Sequence, residues 1–376
     1  MLPSIDLTDP GVLADPFAAH GRARELSPVV TLDAPGMPPM WTVTRHAEGR
    51  AALADARLEM RPASFAMRPD VPEHCRPYMR SMQEVEGEEH ARLRRAVAPA
   101  FTRGAAEDFR ERAARLAGEL LDGLSGETDL LAAFARPLPS DVIAELVGVP
   151  ATDRPQWREW GAAVSIGHGP AFAAAIPGIV DAARRAVHHE GVLTALAHSG
   201  LDGTELAALV WQLLLGGQTP TNLIANAVRV LLTTPGAWET LRDDESLLPG
   251  AVEELTRWCG PQLMTFPRFA REDVEVGGVT IPAGSMVTVS IAAANRDPRV
   301  FAEPERLDLR RESCPHLGYA HGPHFCLGAP LARVQTEEAL RALLRRFPKT
   351  RAADTPAHWL PDPGTLRLAA LPVVLG

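Results

Sequence analysis

The stretch "YAHGPHFCLGAP", Tyr319 to Pro330, sets one cysteine in a glycine-punctuated loop with two histidines just ahead of it. Three partners compete for Cys326: a second cysteine, a zinc ion shared with His321 and His324, or an iron. The four cysteines, Cys75, Cys259, Cys314 and Cys326, are far apart and form no CxxC pair. A disulfide framework is therefore disfavoured in a reducing compartment. Zinc takes about four ligands. His321, His324 and Cys326 give three, and no paired cluster elsewhere closes the set.

The rest of the chain sets the class. Its 376 residues, 46% of them hydrophobic, supply a sizeable core. No linker, low-complexity tract or internal repeat divides them, so one domain over 1–376 is expected. A net charge of -9 speaks against nucleic acid as a partner. The N-terminus "MLPSIDLTDPGVLADPF" lacks a basic start followed by an apolar run, and no stretch of about 18 apolar residues marks a membrane span. A cytoplasmic protein with no membrane contact is expected.

Periodicity is mostly helical. Phe109, Ala113, Leu116, Leu120 and Leu124 repeat at helical spacing over Ala105 to Leu124. Asp202 followed by Glu205 resembles a capping box. Behind it "ELAALVWQLLLGGQTPTNLIANAVRVLL" is apolar nearly all round, as in a buried central helix, with interruptions expected at Gly216-Gly217 and Pro220. Further helices are expected around "AVEELTRW" and from near Pro330. "VEVGGVTI" reads as a hairpin turning on Gly277-Gly278, and "PMWTVT" as a strand. The class is mostly α with a small β part.

Iron accounts for more of the residues around Cys326 than zinc does. A thiolate on haem iron pushes electron density towards oxygen. The thiolate has to be held deprotonated, and a helix N-terminus favours that charge. Cys326 sits just before the helix expected near Pro330, and Gly322 and Gly328 allow a flat macrocycle close approach.

"YAHGPHFCLGAPLAR" resembles the haem loop of soluble bacterial cytochrome P450 enzymes, F-G-x-G-x-H-x-C-x-G. Gly322, His324, Cys326 and Gly328 match; Tyr319 replaces phenylalanine and Ala320 replaces glycine. Since alanine tolerates positive φ poorly, a shifted start to the loop is expected. "EELTR" resembles the family's E-x-x-R, which implies an ion pair between Glu254 and Arg257 with "AANRDPRVFAEPERLDLRR" packed onto it. "EEHARLRR" resembles its H-x-x-x-R. The resemblance implies the cytochrome P450 fold, haem b (iron protoporphyrin IX) with Cys326 as metal ligand, and propionate contacts from His90, Arg94, Arg268 and His324. It also implies electrons from a ferredoxin and ferredoxin reductase. Arg92 and Arg95 read as surface residues where such an acidic partner docks.

One segment departs from the family. The central helix there usually reads A/G-G-x-D/E-T-T, and its acid and alcohol organise proton-carrying water. Here the chain reads "LGGQTPTNLI". A gapless match puts Gln218 at the acid and Thr219 at the alcohol; a one-residue shift puts Thr219 and Thr221 there. Neither supplies a carboxylate, and glutamine is no acid near pH 7. Pro220 is expected to push Thr219 out of the α region and to widen the pocket. The expected activity is monooxygenase hydroxylation of a small-molecule biosynthetic intermediate. The alternative is oxidative C–C or C–N coupling of an aromatic natural product, cyclic dipeptide or short peptide. "AVSIGHGPAFAAAIPGIV" reads as a lid whose small residues leave a roomy pocket, with His168 facing substrate. His188, His189 and His198 read as surface.

Overall fold

The computed structural model describes residues 2–36, 38–65, 72–166, 169–186, 192, 196, 199–312 and 314–376. His168, His188, His189 and His198 lie outside them. The chain divides into two compact units that it visits alternately. The first holds Met1–Phe65, Pro249–Cys326 and His358–Ala369; the second holds Ala66–Leu248, Leu327–Ala357 and Ala370–Gly376.

The first unit is built on a six-stranded sheet. Its order is Ser4–Asp6, Val29–Asp33, Met40–Val43, Met286–Val289, Arg268–Ala270, Leu58–Glu59. Successive side chains of a strand point to opposite faces. Val29 accordingly joins Val43, Val287 and Val289 in one cluster with Ala52 and Leu53. Val30, Leu32 and Met40 join Ile5 and Ala23 in another. The strand expected at "PMWTVT" is Met40–Val43, parallel to Met286–Val289. The expected hairpin pairs Val274–Val276 with Val279–Ile281. Gly277 at φ 56° and Gly278 at φ 80° supply its two left-handed positions.

The helix expected at "AVEELTRW" is Leu248–Cys259. Glu254 and Arg257 have fully buried side chains there, with Arg257 Nε 2.7 Å and Nη2 2.8 Å from the two carboxylate oxygens. The segment expected to pack on the pair supplies the remaining partners. Arg257 donates to the carbonyls of Asn295, Pro304 and Arg306. Glu254 accepts from the Asp308 N–H and from Arg311 Nε, each at 2.9 Å.

His20 is fully buried in this unit, with Nδ1 2.8 Å from Ser290 Oγ. Burial lowers its pKa from 6.5 to about 4. The unfolded chain therefore takes up a proton as pH falls through 6.5, while the native state refuses it until about 4. Stability from this group is complete above the higher value and is lost towards the lower one. Between pH 7 and pH 5 the expected loss is about 2 kcal/mol. Urea midpoints should show a smaller fall over that interval in His20→Gln than in the parent; equal falls would contradict the assignment.

The second unit is helical. The Gly203–Gly217 helix carries both halves of the capping box, Asp202 and Glu205. It runs through both glycines, and the break falls on one residue, Gln218. The chain resumes as Thr219–Thr233 with Pro220 in its first turn, where the missing N–H costs nothing. Gln218 stays near αR, at φ -82° and ψ -17°. Hydrogen bonds around it tighten, with Thr221 N–H reaching the Gln218 carbonyl at 3.1 Å. Thr219 is thus the first residue of a helix; the expectation that Pro220 displaces it from the α region does not hold.

One further expectation changes. The helix read over Ala105 to Leu124 is two helices, Arg103–Asp108 and Arg110–Leu121, divided at Phe109. On the Gly169–Ala186 helix, Phe172, Ala175, Ile176, Ile179 and Val180 of the segment read as a lid are buried in one core with Val210, Trp211 and Leu214, while Ala171 and Ala174 are exposed. A Cβ on Gly178 would fall 2.8 Å from Trp160, and Phe172 stacks on Trp211 at 6.4 Å. The last helix, Ala329–Arg346, packs on Arg110–Leu121. Among the described residues no helix is long and apolar enough to cross a membrane.

Candidate functional site

The Cys326 loop is a closed turn. Cys326 N–H donates to the Tyr319 carbonyl at 3.0 Å, and Phe325 N–H donates to the Gly322 carbonyl at 3.0 Å. Gly322–His324 forms one short 3₁₀ turn inside it. Ala320 adopts φ 58°. The start of the loop is therefore not displaced by the alanine; the alanine takes up the left-handed strain, roughly 1–2 kcal/mol. Gly322 has φ 75°, and a Cβ there would lie 2.5 Å from the Leu53 carbonyl oxygen. That same oxygen accepts from Arg268 Nη1 at 2.8 Å. Leu53 thus brings Arg268 and the loop together. Arg268 is 6% exposed and His324 half-buried.

Cys326 itself is exposed and outside any disulfide. Among the described residues no three His, Cys, Asp or Glu side chains converge as a metal cluster, so His321, His324 and Cys326 do not form a zinc site. Cys314 is the contrasting thiol. Burial, with the Glu254 charge added, pushes it up to about 12, so it stays protonated and structural.

In the second unit, Gly328 is the N-cap of Ala329–Arg346. Space around it is open: a Cβ there would meet nothing within 4 Å. His90 and Arg94 lie one turn apart on Gly87–Val97, the first buried and the second half-buried. Arg92 is exposed and paired with Glu205; Arg95 is exposed.

Gln218 is 3% exposed and accepts a 3.1 Å hydrogen bond from Ser140 Oγ. A Cβ on Gly161 would fall 2.3 Å from Ser140 Oγ and 2.9 Å from Gln218 Oε1. The amide is thus wedged between the Pro137–Leu146 and Arg154–Ile166 helices. Gln218 Nε2 and Thr221 Oγ1 are buried with no hydrogen-bond partner among the described residues. Thr219 is half-buried. The carboxylate beside Ser140, Asp141, is taken by Arg158 Nε at 2.7 Å. Ser140 and Gly161 carried no signal in the sequence, since only the fold brings them to Gln218.

Known proteins agree with this arrangement. The cytochrome P450 family model matches residues 239–356. The chain is 37% identical to the cytochrome P450 monooxygenase PikC of Streptomyces venezuelae, over 96% of this chain and 91% of that one. It is 39% identical to the mycinamicin IV hydroxylase/epoxidase of Micromonospora griseorubida, over 90% of each. The chain belongs to the cytochrome P450 family. The ligand-free P450 monooxygenase TamI superposes with a TM-score of 0.88 at 35% identity, covering 100% of this chain and 94% of that one.

As a cytochrome P450 it is a monooxygenase that uses haem iron, acts on a small molecule and takes electrons from a redox partner. The residues present fit that cofactor. A single exposed thiol stands two residues ahead of a helix N-cap, the space at that N-cap, Gly328, is open, and the buried Arg268 guanidinium reaches the Leu53 carbonyl that Gly322 packs against.

Proposed function

We propose that this cytochrome P450 hydroxylates a small-molecule biosynthetic intermediate in the cytoplasm, as one domain over 1–376, with haem b and with electrons from a ferredoxin and its reductase. The observation that carries the reading is the closed Cys326 loop, with Gly322 and Arg268 meeting at the Leu53 carbonyl. The hydroxylase and monooxygenase names of its relatives support the reaction type.

Haem, when bound, supplies oxygen activation. The chain supplies the rest. Cys326 gives the thiolate, which the N-terminus of Ala329–Arg346 favours in its charged form. Four groups, His90, Arg94, Arg268 and His324, would hold the propionates of the bound cofactor, and Gly328 would leave clearance. Thr219 Oγ1 accepts and passes a proton. Gln218, held by Ser140, orients water through Nε2 but does not titrate.

The same amide favours a second reading, oxidative coupling of an aromatic substrate or short peptide, which relies less on proton delivery. A titration of the ferric spectrum separates the two. One panel holds aliphatic and macrocyclic intermediates; the other holds aromatic short peptides and cyclic dipeptides. The expected result is a low-spin to high-spin shift with the first panel. A shift confined to the second would overturn hydroxylation in favour of coupling.

A further inference from the structure

His316 lies outside every motif that marks the family resemblance, yet its side chain is only 2% exposed. Its Nδ1 accepts the Gly318 N–H at 3.0 Å. An accepting Nδ1 fixes the tautomer, so the proton sits on Nε2. Nε2 lies 3.3 Å from Glu253 Oε2, close enough for the carboxylate to favour that proton although the pair is not aligned as a hydrogen bond. Glu253 stands on the Leu248–Cys259 helix, beside the buried Glu254–Arg257 pair.

The brace continues towards Cys326. Gly318 is pressed against the same helix, since a Cβ there would fall 2.7 Å from Thr256 Cγ2 and 3.1 Å from His316 Nδ1. The His316 ring meets the Tyr319 ring at 5.6 Å, and Tyr319 meets Phe325 at 6.5 Å. The Tyr319 carbonyl then takes the Cys326 N–H. Between the two ends sits Ala320 in its left-handed conformation. A loop strained at that point opens unless its near side is held; Asn295 Oδ1 takes the Leu317 N–H at 2.7 Å and His46 reaches the Pro315 carbonyl, and His316 takes the next N–H towards Ala320, that of Gly318.

We propose that His316 is a positioning residue for Cys326. It holds the near strand of the loop in its turn by accepting the Gly318 N–H, with its ring packed against Tyr319, and so fixes the carbonyl that orients Cys326. The proposal rests on Cys326 being the haem ligand only for its spectroscopic consequence; the brace itself does not depend on that reading.

The test compares full-length holoenzyme carrying His316→Phe, His316→Gln or His316→Asn with the parent. Asparagine places Oδ1 where Nδ1 stood and accepts the Gly318 N–H. Glutamine reaches Glu253 but leaves Gly318 without its acceptor, and phenylalanine fills the volume and accepts nothing. The first readout is the rate at which the reduced carbonyl complex passes from its thiolate-type to its thiol-type spectrum in mild urea. Losing one hydrogen bond should speed this about tenfold in the phenylalanine and glutamine variants, with asparagine within about twofold of the parent. The second readout is amide exchange in peptides spanning 316–328, which should accelerate in the same two variants and nowhere else. Parent-like behaviour of His316→Gln, or an asparagine variant as fast as the phenylalanine one, would overturn the proposal. A parent without a thiolate-type spectrum would sink the ligand assignment alone, leaving amide exchange to decide the brace.

Discussion

Cys326→Ser should reduce product formation with ferredoxin and reductase to background, a loss on the order of a thousandfold or more, the scale for removing a group that acts chiefly in the transition state. Serine is a near-isostere, but its hydroxyl is far too weak an acid to present an anion at neutral pH, so the electron donation that favours O–O cleavage is lost. The fold should survive. Cys326 is exposed, and serine keeps its backbone bond to the Tyr319 carbonyl. Product analysis by mass spectrometry and a thermal melt on the same sample separate the two effects. Retention of more than about a tenth of parent turnover would remove Cys326 from the chemistry.

Glu254→Ala should act on stability instead, and strongly. The alanine would leave two guanidiniums, Arg257 and Arg311, without their carboxylate and the Asp308 N–H without its acceptor. Breaking a buried pair from one side costs about 3–5 kcal/mol, because the remaining charge stays buried and uncompensated. Against a total stability of about 5–15 kcal/mol, the variant should populate little native protein at 37 °C. Glu254→Gln keeps the shape and one carbonyl acceptor, and should lie between alanine and parent in urea midpoint. A Glu254→Ala midpoint within error of the parent would contradict the role given to this pair.

What the sequence made legible is what is local in it. The Cys326 loop occupies one contiguous stretch, so its glycines, histidine and cysteine could be read as a unit. Glu254 and Arg257 are one helical turn apart, Asp202 and Glu205 cap one helix, and Gly277-Gly278 turn one hairpin. What stayed hidden depends on distant segments or on side-chain direction. Ser140 and Gly161 close on Gln218 only because three helices meet there. On Gly169–Ala186, Gly178 comes close under Trp160 and Ala175 lies in one core with Trp211, partners that are distant in the chain. Ala320 shows the limit of reading propensity alone: the left-handed turn is held, and the residue bears the strain. Pro220 shows the same from the other side, because a proline in a first helical turn needs no distortion of its neighbour.

The most direct measurement is the spectrum of the reduced, carbon monoxide-bound parent enzyme loaded with haem. A thiolate-type Soret band, lost in Cys326→Ser while Cys75, Cys259 and Cys314 are intact, is the predicted result. An imidazole-type band in the parent, or a thiolate-type band that survives the substitution, would contradict the assignment of Cys326.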